Sequence, residues 1–308
     1  MWSDLITQAI LISVVAGAIQ NTTPILLAAL GETISECGGV KNMGLEGTMM
    51  IGAFVAFMAT WWTGSPWIGA LAGAGGGLLA SGILVGLAIF LDVEQIISGL
   101  AINLLATGLC AFLYKVSFPS ASPPSIAIMA PVSIPVLSDL PWIGPILFQQ
   151  KALTYLALLL VPAIGVLLYR TRIGLELRSI RENPLVLGSR GLSVKARQAA
   201  AVFACGALAG LGGAFLTAGS AVRFVPEMVN GRGWLAIIAV VAASWRPAGV
   251  LAATFGFALL DSLQLHGQGV GIKLPYQILL AAPYVVSLAL LAFRGRSDLI
   301  HRRRRATS

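Results

Sequence analysis

Within residues 30–54, LGETISECGGVKNMGLEGTMMIGAF, three glutamates, Lys41 and Asn42 stand among glycines in an otherwise apolar run. Ionisable side chains at mid-membrane depth cost roughly 2.5–3.5 kcal/mol each on insertion scales, so they are kept where they face a cavity, a partner or a pathway. The chemistry on offer is solute passage or the fixing of broken helix ends. For Glu32, Glu36 and Glu46 the favoured role is to bond helix ends or Lys41 and hold the interruption in shape. Asn42, Glu46, Asn103, Asn230 and Trp234 are the candidates for lining a translocation pathway, each being polar or amphipathic in apolar surroundings, where polar groups need partners or water.

Catalytic constellations do not emerge from the rest of the chain. It holds no HExxH, GxSxG or paired-carboxylate pattern, and His266 and His301 fall far apart in any membrane plan. None of the five lysines follows a glycine-rich loop of Walker A spacing. No catalytic residue, metal site or bound cofactor is therefore expected. Cys37, Cys110 and Cys205, odd in number and set among apolar or glycine neighbours, read as buried thiols.

Membrane helices must position these groups. Of 308 residues 57% are hydrophobic and 10% charged, with a mean hydropathy of +0.88, where a soluble domain carries about 25% charged residues. Apolar windows fall at about 5–19, 22–35, 45–62, 67–90, 95–114, 152–169, 197–219, 233–244, 249–264 and 276–293. They predict an all-α polytopic membrane protein of about ten transmembrane helices in one domain, residues 1–308. Several windows are shorter than the ~20 residues of a clean span, which predicts broken or tilted segments.

The net charge of +8 is concentrated in two clusters, Arg170–Arg197 and Arg294–Arg305, which the positive-inside rule places in the cytoplasm. Four predicted crossings separate them, consistent with one shared side. The amino terminus, with Asp4 where a signal peptide carries basic residues, is expected to be retained and cytoplasmic like the carboxyl terminus. The closing run of arginines is better matched to anionic lipid than to nucleic acid.

Glycines recur at four-residue spacing at Gly69, Gly73 and Gly77, at Gly82 and Gly86, and at Gly206 and Gly210, which predicts close helix packing. Trp61, Trp62, Trp67 and Trp142 read as interface anchors. Residues 116–150 hold seven of the fifteen prolines and predict an irregular loop outside the membrane, either a cap folded over the helix ends or a passive connector. In residues 171–194, Asn183 suits an N-cap, Pro184 a first helical position and Gly191 a left-handed end. That predicts a short helix at 184–190, either gripped by a soluble partner or lying on lipid. Asn42-x-Gly44-x-Glu46-Gly47 and Asn230-Gly231-x-Gly233, each preceding an apolar helix and expected near opposite faces, suggest inverted repeats.

GETISECGGVKNMGLEGTMMIGAF, DVEQIISGLAINLLA, VLSDLPWIGPILF, RSIRENPLVLGSRGLSV and GRGWLAIIAVVAASWRPAGVLAATFGFALLDSLQ, in this order, resemble the permease subunits of bacterial ABC importers for nucleosides and simple sugars. That group is similar in turn to ribose and branched-chain amino-acid permeases. The resemblance implies a multi-pass subunit of the bacterial inner membrane that pairs with a second permease. It also implies a cytoplasmic ABC ATPase that hydrolyses the ATP, and an extracytoplasmic binding protein that delivers solute. The family's coupling helix falls on Arg181, Glu182, Asn183, Pro184, Leu187, Gly188 and Leu192, and the 116–150 loop becomes periplasmic. Relatives carry an ERSGV-like stretch where this chain has Glu36-Cys37-Gly38-Gly39-Val40 followed by Lys41, so solute or partner preference is open to change. The length resembles the shorter of two unlike permeases that pair, which implies a heterodimer. An ion-gradient-driven secondary transporter of a small polar solute shares the composition and the buried carboxylates, and is the alternative.

Overall fold

Lipid offers no hydrogen bonds to a backbone, so a chain of this composition satisfies its peptide groups within helices. The computed structural model describes residues 2–119, 124–133, 135, 143–183, 191–269 and 285. The helices described are α1 (Trp2–Cys37), α2 (Leu45–Thr63), α3 (Pro66–Leu84), α4 (Gln95–Ser117), α5 (Ile143–Leu147), α6 (Ala152–Arg170), α7 (Arg172–Glu182), α8 (Val194–Ala214), α9 (Arg232–Ala242) and α10 (Pro247–Gly269). Wider π-helical turns extend α3 over Val85–Phe90 and α8 over Phe215–Ser220. Two three-residue strands, β1 (Pro131–Ser133) and β2 (Gln149–Lys151), pair antiparallel.

Among the described residues, seven helices are long and apolar enough to cross a membrane: Leu11–Cys37, Leu45–Thr63, Pro66–Phe90, Gln95–Ser117, Ala152–Arg170, Val194–Ser220 and Pro247–Leu265. The expected count of ten is corrected at two places among the described residues. Windows 5–19 and 22–35 are one continuous helix, α1, which runs through the polar Gln20–Pro24 stretch. The hydroxyls there find partners: Thr22 donates to the Ala18 carbonyl at 2.7 Å and Thr23 to the Thr154 hydroxyl at 2.9 Å. Window 233–244 is the short helix α9, of 11 residues. The last window, 276–293, lies outside the described residues apart from Val285. Merging the first two windows leaves five candidate spans before α7. Five is odd, where a shared side for the amino terminus and the 171–194 segment needs an even number of crossings.

The tightest packing joins α2, α3 and α8 through glycines. A Cβ on Gly77 would run into the backbone of Gly206 and Gly210, and one on Gly52 into Gly210. Gly73 meets the Gly52 carbonyl and the Ala214 methyl group. This is the close approach that small-residue spacing permits. Gly82 and Gly86 share the spacing but not the contact: among the described residues the Phe203 ring is the one neighbour of Gly82, and nothing lies within 4 Å of a Cβ at Gly86. Helix α1 crosses behind this trio, packing on α8 and α10.

At the far end of α2 an aromatic cluster closes the bundle, with Phe57 5.8 Å from both Phe118 and Phe224. The proline-rich segment lies over it. Ile126 donates its N–H to Val222 O (2.9 Å) and Met129 to Ala218 O (2.8 Å), and both side chains are buried. The Lys151 ammonium donates to the Gly219 carbonyl at the end of the α8 extension. Burial pushes that amine below the usual lysine range. Trp61, Trp62 and Trp67 are all more than two-fifths exposed, and Trp142 lies outside the described residues.

Candidate functional site

Helix α1 stops at Cys37 because Gly38 and Gly39 follow, the latter at φ +82°, where a side chain would be strained. The break from Gly38 to Gly44 carries apolar chain on both sides, so its backbone groups must be bonded locally. The Ser35 hydroxyl donates to Val40 O (2.7 Å). The buried Glu32 accepts the Asn42 N–H (2.9 Å) on one oxygen and the Cys205 thiol (3.4 Å) on the other. Asn42, itself fully buried, accepts the Gly44 N–H (3.0 Å) and turns its amide toward Cys205. Asn103, reaching across from α4, donates to Met43 O (2.9 Å) and accepts the Gly47 N–H (2.7 Å). Asn42 and Asn103 thus spend their polar atoms on the break, on the first turn of α2 and on Cys205 of α8.

Glu46, in the first turn of α2, serves a second helix. Its two carboxylate oxygens accept the Gly231 N–H (2.8 Å) and the Gly233 N–H (2.7 Å) at the start of α9. The first four N–H groups of a helix have no partner within it, and an anion there also faces the positive end of the helix dipole. Asn230 and Gly231 turn the chain into α9 with φ of +48° and +78°. Gly233 is needed for contact, since a Cβ would lie 2.6–2.7 Å from the Glu46 backbone. The two motifs expected near opposite faces are therefore in direct contact. Trp234, the next residue, is 36% exposed.

A third joint lies at the end of α7, an amphipathic helix in a stretch whose charge density gave no sequence prediction of it. Thr171 caps it by accepting the Gly174 N–H (3.2 Å), and Gly174, Leu177 and Ile180 form its buried side. Arg197 binds Glu176 at 2.7 Å and ties α7 to α8. In the last turn the Arg181 guanidinium lies over the Trp245 ring, 3.4 Å from its centroid. The Trp245 indole N–H donates to Glu36 in the last turn of α1. Trp245 and its neighbour Ser244, between α9 and α10, have φ of +59° and +55°.

Five candidates, Asn42, Glu46, Asn103, Asn230 and Trp234, are thus gathered around the break and the start of α9. Of the residues expected to meet an ATPase, Arg181 and Glu182 close α7, and Asn183 is extended, with its N–H on Ser179 O (2.8 Å). Leu192 is 37% exposed. Pro184, Leu187 and Gly188, and with them the expected helix 184–190, lie outside the described residues. Sequence reading did not single out Trp245 or assign Cys205 a site role. The tryptophan beside Arg246-Pro247, an aromatic next to a helix start, was the available signal.

The sequence profile of the family described as branched-chain amino acid transport system / permease component matches residues 13–293. A putative glucose ABC transporter permease protein of Haloferax volcanii is 35% identical over 293 residues, 89% of each chain. The guanosine ABC transporter permease protein of Bacillus subtilis is 34% identical, with 94% of each chain covered. A nucleoside ABC transporter permease protein of Lactococcus lactis subsp. cremoris is also 34% identical, covering 92% of this chain and 93% of that one.

Proposed function

Because the chain belongs to the branched-chain amino acid transport system / permease component family, we propose that it forms the pathway for a nucleoside or simple sugar in an ATP-driven ABC importer. The names of its relatives support both solute classes, two of them specifying guanosine or nucleoside and one glucose. The observation that carries the reading is the joint at Glu46. A carboxylate that bonds two N–H groups of a separate short helix is what an interrupted, pathway-lining segment needs, because irregular backbone at membrane depth is tolerated only inside protein or beside a cavity.

Both Glu46 oxygens are engaged, so Glu46 serves the pathway by holding α9; Trp234 and Asn230, at the start of that helix, remain the candidates for solute contact, with the surfaces that Glu46, Asn42 and Asn103 hold in place. The Arg170–Arg197 cluster supports a position for α7 on the cytoplasmic side of a bacterial inner membrane; the five candidate spans before it then favour an amino terminus outside, and the arginine-rich carboxyl terminus is read as inside. The 116–150 segment then caps the outer, periplasmic end. Arg181, Glu182, Asn183, Pro184, Leu187, Gly188 and Leu192 form the face that couples to the ATPase. That ATPase, a second and unlike permease, and an extracytoplasmic binding protein complete the importer.

Uptake of labelled guanosine and labelled glucose into proteoliposomes holding the assembled importer tests the solute class. One label should accumulate with ATP inside, and an excess of the unlabelled compound should compete. Accumulation of neither, alongside uptake of a branched-chain amino acid, would overturn the assignment.

A further inference from the structure

We propose that Trp245 is a positioning residue in a joint, Arg181–Trp245–Glu36, through which displacement of the 171–194 segment reaches the break between α1 and α2. The proposal rests on the reading that this segment couples to an ATPase. Three contacts define the joint. The Arg181 guanidinium is stacked on the indole, the indole N–H donates to Glu36, and Glu36 sits one residue before α1 ends. The break itself touches α7, since the nearest atoms to a Cβ at Gly39 include Ile180 Cγ2 at 3.5 Å and Arg181 Cα at 3.9 Å.

The joint also holds one end of α9. Glu46, just after the break, bonds the amino end of α9. Glu36, just before the break, bonds Trp245 three residues beyond its carboxyl end. The short helix is therefore strung between two carboxylates that flank residues 38–44, and Arg181 presses on one of the two attachments. Ser244 and Trp245 hold left-handed backbone conformations at that attachment, which non-glycine residues keep only where their surroundings over-determine them. A shift of the α7 end that keeps the stack carries Trp245 with it and so moves α9 relative to α1, whereas one that breaks the stack passes nothing on.

The test uses the complete importer in proteoliposomes, with the solute-loaded binding protein, and guanosine and glucose as the labelled probes. Trp245→Leu removes both the stack and the indole donor. Trp245→Phe keeps the ring beneath Arg181 and removes the donor alone. Expected for Trp245→Leu is normal co-purification of the ATPase, basal hydrolysis within about twofold of wild type, and a loss of about tenfold in binding-protein-stimulated hydrolysis and uptake. Trp245→Phe should lose about threefold, and adding Glu36→Gln to it should cost little more, because the two changes cut the same contact. Unchanged stimulation in Trp245→Phe and Trp245→Leu overturns the joint. So does a loss that follows the amount of ATPase retained or the melting temperature of the complex, since that marks a static brace. Wild-type uptake that proceeds without the ATPase is a separate outcome, and it overturns the ATP-driven reading on which the joint rests.

Discussion

Two parts of the membrane bundle hold helices together by opposite means. Between α2, α3 and α8 the chain removes side chains altogether, and Gly52, Gly77, Gly206 and Gly210 bring backbone against backbone. Around α9 it keeps charged and aromatic groups, and Glu46, Glu36, Trp245 and Arg181 span the gaps. A glycine interface has one close-packed arrangement and resists any other, as packed interiors do. A helix end held by a carboxylate can release and rebind, because its N–H donors are satisfied by whichever acceptor is in reach. On the reading proposed above, the trio is a rigid frame and α9 the moving part.

The contrast can be broken first at the frame. Gly210→Leu should be the most damaging single change, because the new side chain must displace the backbone of Gly73 and Gly77. Overpacking of this kind costs about 1–3 kcal/mol or more, so the variant should be largely lost from the membrane fraction and should aggregate in detergent. Recovery of a monodisperse protein with a melting temperature near wild type would remove the distinction between frame and moving part.

Glu46 comes next. Glu46→Ala leaves the Gly231 and Gly233 N–H groups without their acceptor, a loss of about 2 kcal/mol for a charged hydrogen-bonding partner. The protein should still insert, with a lower melting temperature and uptake reduced at least severalfold. Glu46→Gln keeps one acceptor and should restore part of both. If Glu46→Ala and Glu46→Gln abolish uptake equally at unchanged melting temperature, Glu46 meets solute directly instead of holding α9. The smallest effect is expected at Gly86, which shares the glycine spacing but has no neighbour within 4 Å among the described residues. Gly86→Ala should leave stability within about 0.5 kcal/mol of wild type, and a large loss would mean that this face meets a partner chain.

Much of the fold was legible because lipid imposes simple rules on composition, and most apolar windows coincide with a helix. The misreadings have local causes. The Gln20–Pro24 stretch looked like a break, yet Thr22 and Thr23 bond a carbonyl one turn back and a hydroxyl on α6, so the helix continues. Helix α7 went unread because its arginines and glutamates resemble a loop until Gly174, Leu177 and Ile180 are seen to share one side. At the site, the polar residues of 30–54 announced an interruption, and the bonding of Glu46 to the end of another helix agrees with the role favoured for it. What it bonds could not be read, because Gly231 and Gly233 lie more than 180 residues away along the chain. The indole of Trp245 over Glu36 was hidden for the same reason.

The most direct test of the central claim, that this permease is driven through α7 and the residues after it, is solute uptake into proteoliposomes with and without the ATPase. The account predicts ATP-dependent accumulation that disappears when the ATPase is omitted and is insensitive to an uncoupler. Undiminished uptake without the ATPase, abolished by collapsing the ion gradient, would contradict it.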